Sequence, residues 1–276
     1  MLKQRVITAI ILAACFLLAL FALPLSGFAL ALALVVMLAG WEWANLAGFE
    51  PQWQRCLYAL LVGLVAAGLA YYTHLLGGEA LALDRLRDIL LLACGWWALA
   101  LLWVQGYPAS AVLWDRRWLK AIMGIVVLVP AWLALVYLHS QEYGQWLVVL
   151  VMVAVACADI GAYFSGKAFG KHKLAPNVSP GKSWEGFWGG LGCCLLLAAL
   201  IGYSASGGWL VFAVIVPASL VSVLGDLSES MLKRQRGIKD SSQLLPGHGG
   251  LLDRIDGVTA AAPVFALAIL LSGWSF

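Results

Sequence analysis

Charge is what this chain has least of. Asp, Glu, Lys and Arg make up 11% of its 276 residues, against 63% hydrophobic residues and 14 tryptophans. A soluble domain has no means of hiding so large an apolar fraction, so the expected class is an all-α, polytopic membrane protein. Cysteine pairs at metal-ligand spacing are also missing. None of Cys15, Cys56, Cys94, Cys157, Cys193 and Cys194 belongs to a CxxC, and most lie inside apolar runs, where they read as small buried hydrophobes. The net charge is only +3 and the cations are sorted by loop rather than pooled in a patch, which excludes nucleic acid as a partner. No cleavage site follows the apolar run after MLKQR, so that run is expected to remain as a first span. Internal repeats and low-complexity tracts are absent as well.

What the chain does have is apolar runs of about 20 residues, the length that crosses a hydrocarbon core of about 30 Å. They fall near 6–25, 28–48, 56–76, 88–105, 118–138, 146–165, 187–204, 208–226 and 257–275, which predicts nine transmembrane helices. Pro24 and Gly27 mark the first turn, Gly77-Gly78 the third and Pro108 the fourth loop, while Gly207-Gly208 separates spans seven and eight. A cytoplasmic N-terminus puts 15 of the 17 Lys and Arg residues on the cytoplasmic side, leaving only Arg85 and Arg87 outside. Most tryptophans sit near span ends and read as interfacial anchors. Gly186 and Gly190, four residues apart, predict close helix packing. Residues 1–140 read as an N-terminal scaffold. Residues 141–276 read as the catalytic region, with polar cytoplasmic loops at 166–186 and 227–256.

Three polar features stand out against this background. Asp159 lies in an otherwise apolar span, where a carboxylate costs ~2.5–3.5 kcal/mol and therefore faces a polar cavity or a partner such as a lysine. The loop NVSPGKSWEG, 177–186, contains GKS, but Pro176 stands where a Walker A loop needs its first glycine. Its turn can still present backbone N–H groups, Lys182 and the hydroxyls of Ser179 and Ser183 to an anion, with Glu185 capping the next helix or orienting Lys182. The third feature, 226–256, is the longest polar stretch. It carries Asp226, Glu229, Asp240, Asp253 and Asp256 among Lys233, Arg234, Arg236, Lys239 and Arg254. Asp226 is expected to end span eight while Asp253 and Asp256, on one helical face, open span nine. Hard oxygen donors of this kind suit Mg²⁺ held together with substrate phosphates, and the cations suit a triphosphate. His248, between Gly247 and Gly249, reads as a ligand, a phosphate donor or a loop hydrogen bonder. The chemistry implied is metal-assisted phosphoryl or nucleotidyl transfer at a membrane surface, with a lipid acceptor.

The run SMLKRQRGIKDSSQLLPGHGGLLDRID, Ser230 to Asp256, resembles the signature of the phosphatidate cytidylyltransferases. It carries Ser230, Lys233-Arg234, Lys239-Asp240, Pro246, His248-Gly249-Gly250 and Asp253-Arg254-Ile255-Asp256. Ser179 to Gly186 is similar to a second loop of that family, and Asp159 stands where it has an acid before Gly-Ala-Tyr. The resemblance implies a bacterial inner-membrane enzyme, its active site facing the cytoplasm, that converts CTP and phosphatidate to CDP-diacylglycerol and pyrophosphate. It implies Mg²⁺, with K⁺ as a candidate second cation, and a homodimer. Carried onto this chain, it makes Asp226, Asp253, Asp256, Lys239 and Asp240 the catalytic set. The metal ligands would be Asp226, Asp253, Asp256 and Asp159. Ser179, Lys182, Ser183, Glu185, Lys233, Arg234, His248 and Arg254 would bind substrate.

Two other readings compete. A CTP-using polyprenol kinase, or a cytidylyltransferase for an ether lipid, would use a similar site on another acceptor. A transporter would carry charges at mid-membrane in several spans and an inverted repeat, whereas here the charges cluster at one face. The metal assignment further predicts that Asp253→Asn abolishes turnover and leaves the fold intact.

Overall fold

In lipid a peptide group has no water to bond, so each apolar run closes its hydrogen bonds internally as a helix. The computed structural model describes residues 2–77, 80–204 and 208–274, and among them holds ten helices and one short hairpin. In chain order these are α1 (Leu2–Ala22), α2 (Leu25–Ala47), α3 (Gln52–Tyr72), α4 (Leu83–Gly106), the single turn α5 (Ala111–Trp114), α6 (Arg117–His139) and α7 (Gly144–Phe169). The hairpin strands β1 (Lys173–Ala175) and β2 (Ser179–Ser183) follow, then α8 (Trp184–Ser204), α9 (Leu210–Arg236) and α10 (Leu252–Ser272). Among the described residues eight of these helices, α2 to α4 and α6 to α10, are long and apolar enough to cross a membrane. Helix α1 adds a shorter apolar stretch, Val6–Ala22. The chain is thus an all-α polytopic membrane protein. Gly78 and Gly207, two of the expected turn residues, lie outside the described residues.

One boundary moves substantially. Helix α9 does not stop at 226 but continues to Arg236, which shortens the expected 227–256 loop to 237–251. Ser, Glu, Lys, Gln and Arg interrupt hydropathy without interrupting a helix. Lys233, Arg234 and Arg236 in the last turn favour the negative end of the helix dipole, and Gly237, at φ 75°, closes it in the left-handed conformation. The expected 166–186 loop is likewise shortened, and its middle pairs as an antiparallel hairpin with Lys173 opposite Ser183 and Ala175 opposite Ser179.

Helix α6 is the buried axis of the bundle, with an unbroken buried run from Val127 to His139. Its neighbours tie to its backbone through aromatic donors: Trp43 Nε1 donates to the Lys120 carbonyl at 2.7 Å and Tyr58 Oη to the Ala121 carbonyl at 2.6 Å. In the other direction Trp132 Nε1 donates to the Ala29 carbonyl at 2.9 Å. The closest helix pairs rest on small residues, as expected for packing in lipid. A Cβ on Gly190 of α8 would stand 2.6 Å from the Ala158 carbonyl oxygen of α7, so the predicted glycine-mediated packing is present.

The polar chain ends gather at one end of this bundle. Arg236 reaches Glu50 after α2 at 3.2 Å, and Gln235 reaches Asp115 before α6 at 2.6 Å. Arg234 donates to the Val178 carbonyl of the hairpin at 3.1 Å, and Thr8 of α1 to the Pro246 carbonyl at 3.3 Å. The ends of α2, the hairpin and α9, and the starts of α1 and α6, therefore share one polar surface with the 237–251 loop.

Candidate active site

The first component is a cavity of about 430 Å³ between α7, the hairpin, α8 and α9. Its polar lining comes from Asp159, Tyr163 and Lys167 of α7, Lys182 and Ser183 of β2, and Ser219 and Asp226 of α9. Lys182 Nζ lies 2.7 Å from Asp226 Oδ2, and Ser230, one turn on, donates to Asp226 Oδ1 at 3.1 Å. Ser183 is buried and also caps α8, accepting the Gly186 N–H at 3.2 Å. A strand places Lys182 and a helix places Asp226, so two rigid elements present opposite charges to one pocket. Asp159 faces the same cavity as Lys167 and Lys182, the latter ion-paired with Asp226.

A second cavity of about 410 Å³ adjoins the first and shares Leu174, Phe187, Leu220 and Val223 with it. Leu101 and Val104 of α4 and Leu224 and Leu227 of α9 make its other walls largely apolar.

The second component is a polar node where α9, α10 and the 237–251 loop meet. Lys233 Nζ stands 2.6 Å from Asp253 Oδ1 and 3.2 Å from Glu229 Oε1. Asp253 Oδ2 accepts the Ser241 N–H at 3.0 Å, the Ser241 hydroxyl at 3.0 Å and the Gly250 N–H at 2.8 Å. Both Asp253 oxygens are therefore engaged by the protein itself, and the carboxylate organises the loop. Asp256, one turn later, accepts the Gly257 N–H at 2.8 Å. It lies at the crossing of α9 and α10, where Gly225 meets the Asp256 carbonyl with no room for a side chain. That crossing sets Asp256 beside Asp226.

Not all predicted residues converge. Asp159, Lys182, Ser183 and Asp226 share the cavity, and Asp256 adjoins it; Lys233 and Asp253 form the node. Ser179 opens β2, opposite Ala175, and is not part of the cavity lining. Glu185, in the first turn of α8, takes its own backbone N–H and otherwise turns to the preceding loop rather than to Lys182. Its carboxylate accepts the Lys171 N–H at 3.1 Å and the His172 N–H at 3.2 Å, and pairs with His172 Nδ1 at 2.7 Å. Arg234 is held by Val178, and Arg254 donates twice to the His248 carbonyl, at 2.8 and 3.2 Å. Lys239 and Asp240 are exposed on the loop, and His248 Nδ1 is buried with no hydrogen-bond partner among the described residues.

Sequence reading missed Glu42 of α2. It is wholly buried, and its carboxylate accepts the backbone N–H groups of Leu251 and Leu252 at 2.9 and 2.6 Å and the Ser242 hydroxyl, with the Ser241 hydroxyl, shared with Asp253, 3.3 Å away. The signal was available: a lone acid in an apolar span, the same signal that singled out Asp159.

Hard oxygen donors are present, but not as a closed cage. Among the described residues no three His, Cys, Asp or Glu side chains converge as a metal site. Asp226 and Asp256, near enough across the α9–α10 crossing to act on each other electrostatically, suit instead the open mode of Mg²⁺, which takes one or two carboxylates and completes its shell with water and phosphates.

Comparison with known proteins adds the following. The model of the cytidylyltransferase family matches residues 3–272. A phosphatidate cytidylyltransferase of Pseudomonas aeruginosa is 50% identical, with 99% of each chain covered. One of Haemophilus influenzae is 44% identical over 96% of this chain and 98% of its own. A third, of Brucella suis, is 47% identical over 46% of this chain and 48% of its own.

Proposed function

Since this chain belongs to the cytidylyltransferase family, we propose that it joins CTP to phosphatidate, giving CDP-diacylglycerol and pyrophosphate. The observation that carries the assignment is the Lys182–Asp226 pair, 2.7 Å apart and facing one cavity at the polar end of a membrane bundle. A phosphatidate oxygen would attack the α-phosphorus of CTP, forming one P–O bond as the bond to the bridging oxygen of pyrophosphate breaks. The attacking oxygen is already anionic, so no strong base or covalent enzyme intermediate is required. What the site has to supply is alignment and charge neutralisation.

Lys182 supplies a cation beside the triphosphate. Asp226, with Asp256 next to it, would hold Mg²⁺, which when bound neutralises phosphate charge. Asp253 keeps Lys233 and the loop in position and, like Asp226, whose two oxygens also have protein partners, would serve as a ligand by exchanging one of them for the metal. The adjoining cavity offers room for the acyl part of the lipid, with Leu101, Val104, Leu220 and Leu224 supplying hydrocarbon wall beside Lys182 and Asp226. By the positive-inside rule the polar end faces the cytoplasm, where CTP is made, and the bacterial relatives support the inner membrane as its location.

The test is pyrophosphate release by the purified full chain in detergent, with CTP, Mg²⁺ and phosphatidate. Release that needs all three is the expected result. Phosphorylation of a polyprenol with CDP as the other product, and no pyrophosphate with phosphatidate, would move the chain to a lipid kinase. No reaction with either acceptor, in folded protein, would reject the proposal.

A further inference from the structure

The strongest polar contact outside the proposed chemistry comes from the N-terminal half. Glu42 is fully buried near the end of α2, some 200 residues away in sequence from the loop that it binds. Its carboxylate spans two tasks. It takes the N–H groups of Leu251 and Leu252, at 2.9 and 2.6 Å, capping the positive end of α10 where no side chain of α10 itself does so. It also meets the hydroxyls of Ser241 and Ser242, and Asn45, one turn on, donates to the Ser241 carbonyl at 3.3 Å. The Ser241 hydroxyl lies 3.3 Å from Glu42 and 3.0 Å from Asp253, so one serine stands between two carboxylates. Gly250 closes the node: a Cβ there would collide with Ser241 and sit 2.8 Å from Glu42 Oε1.

We infer that Glu42 is a positioning residue of the active site: through Ser241 it fixes Asp253, and through Asp253 it fixes Lys233. The inference rests on the proposed reaction, since the geometry it protects is that of the phosphate-handling end of α9. Glu42 touches no substrate. A burial this complete, with three donors of its own (Leu251, Leu252 and Ser242) and the single Ser241 hydroxyl proton shared with Asp253, leaves the node a single arrangement, because any shift strands a donor away from water. A side chain added to α2 only for helix packing would be apolar at this depth.

The experiment compares the full-length chain with Glu42→Gln, Ser241→Ala and the double variant in detergent. It reads kcat and KM for CTP per folded molecule beside the unfolding midpoint. Gln keeps the shape but sets an NH₂ against N–H donors. The expected result is a kcat about ten- to a hundredfold lower in Glu42→Gln, with KM for CTP changed much less, as for a small misplacement of a reacting geometry. Because Ser241 carries the effect, the double variant should be no slower than Glu42→Gln alone. Ser241→Ala leaves the cap on α10 in place, so it covers the case in which Glu42→Gln fails to fold, and should by itself lower kcat. Wild-type kcat in either folded single variant, or losses that multiply in the double variant, would overturn the inference. An inactive wild-type chain would instead reject the reaction proposed for the family site, so the two failures are distinct.

Discussion

Asp253 shows how one residue changes meaning once its partners are visible. In the sequence it is an acid at the start of a helix, expected to bind metal and to be replaceable without harm to the fold. In the structure its side chain is 7% exposed and receives four donors, Lys233, Gly250 and Ser241 twice. Asp253→Asn should therefore lower the unfolding midpoint as well as turnover, by about 1–3 kcal/mol for the stranded donors. An unchanged midpoint in a thermal melt would contradict that. Lys182→Ala removes the cation offered to CTP and leaves Asp226 without its ion-pair partner; KM for CTP should rise by about an order of magnitude. Unchanged kinetics at limiting CTP would take Lys182 out of the site. Outside the spans, Asp115 links the start of α6 to the end of α9. Burial alone would raise its carboxyl, but the Lys120 ammonium at 2.8 Å and the Gln235 amide at 2.6 Å hold it below the ordinary range. A depressed carboxylate stabilises the fold above its unfolded pKa, and that contribution is lost as pH falls through the folded value. Asp115→Asn should thus weaken the pH dependence of the melting midpoint below about pH 4. The same acid slope in both proteins would show that the link carries no stability.

At the scale of elements, helix α9 decides the site. It brings Asp226 to the cavity, Glu229 and Lys233 to the node, and Gln235 and Arg236 to α6 and α2 along one continuous helix. Hydropathy located its apolar part and missed its last ten residues, because a polar helix that leaves the bilayer looks like a loop to a hydrophobicity count. The hairpin at 173–183 was equally hidden: its strands are only three and five residues long, too short for alternation to register. The lone acids were legible as anomalies, yet Asp159 was noticed and Glu42 was not, because only the former lies beside a recognisable motif. Which acids share a pocket depends on helix crossings, and those rest on residues with no chemistry of their own. Gly225 is one. A methyl group there would press on the Asp256 carbonyl and sit 2.9 Å from Ala260 Cβ. Gly225→Ala should separate α9 from α10 at a cost of about 1–3 kcal/mol. It should reduce both the unfolding midpoint and the yield of folded protein, and a normal midpoint would mean that the crossing can relax.

For the whole molecule, composition was enough to fix the class, and the sorting of 15 of 17 cations to one side anticipated a bundle with one polar end. Contacts from Arg236 to Glu50, Gln235 to Asp115 and Asn45 to Ser241 assemble that end from both halves of the chain. A membrane enzyme acting on a lipid phosphate and a water-soluble nucleotide needs charged groups and hydrocarbon wall in one place, and the two adjoining cavities combine Lys182 and Asp226 with leucine and valine side chains. The most direct measurement is transfer of labelled cytidine from CTP into solvent-extractable lipid, by the purified wild-type chain and by Asp226→Asn. The wild-type protein should incorporate label only when phosphatidate and Mg²⁺ are both present, and the variant should fall by about two orders of magnitude while melting as the wild type does. Incorporation by Asp226→Asn at the wild-type rate would contradict the site, and none by a folded wild-type chain would contradict the reaction.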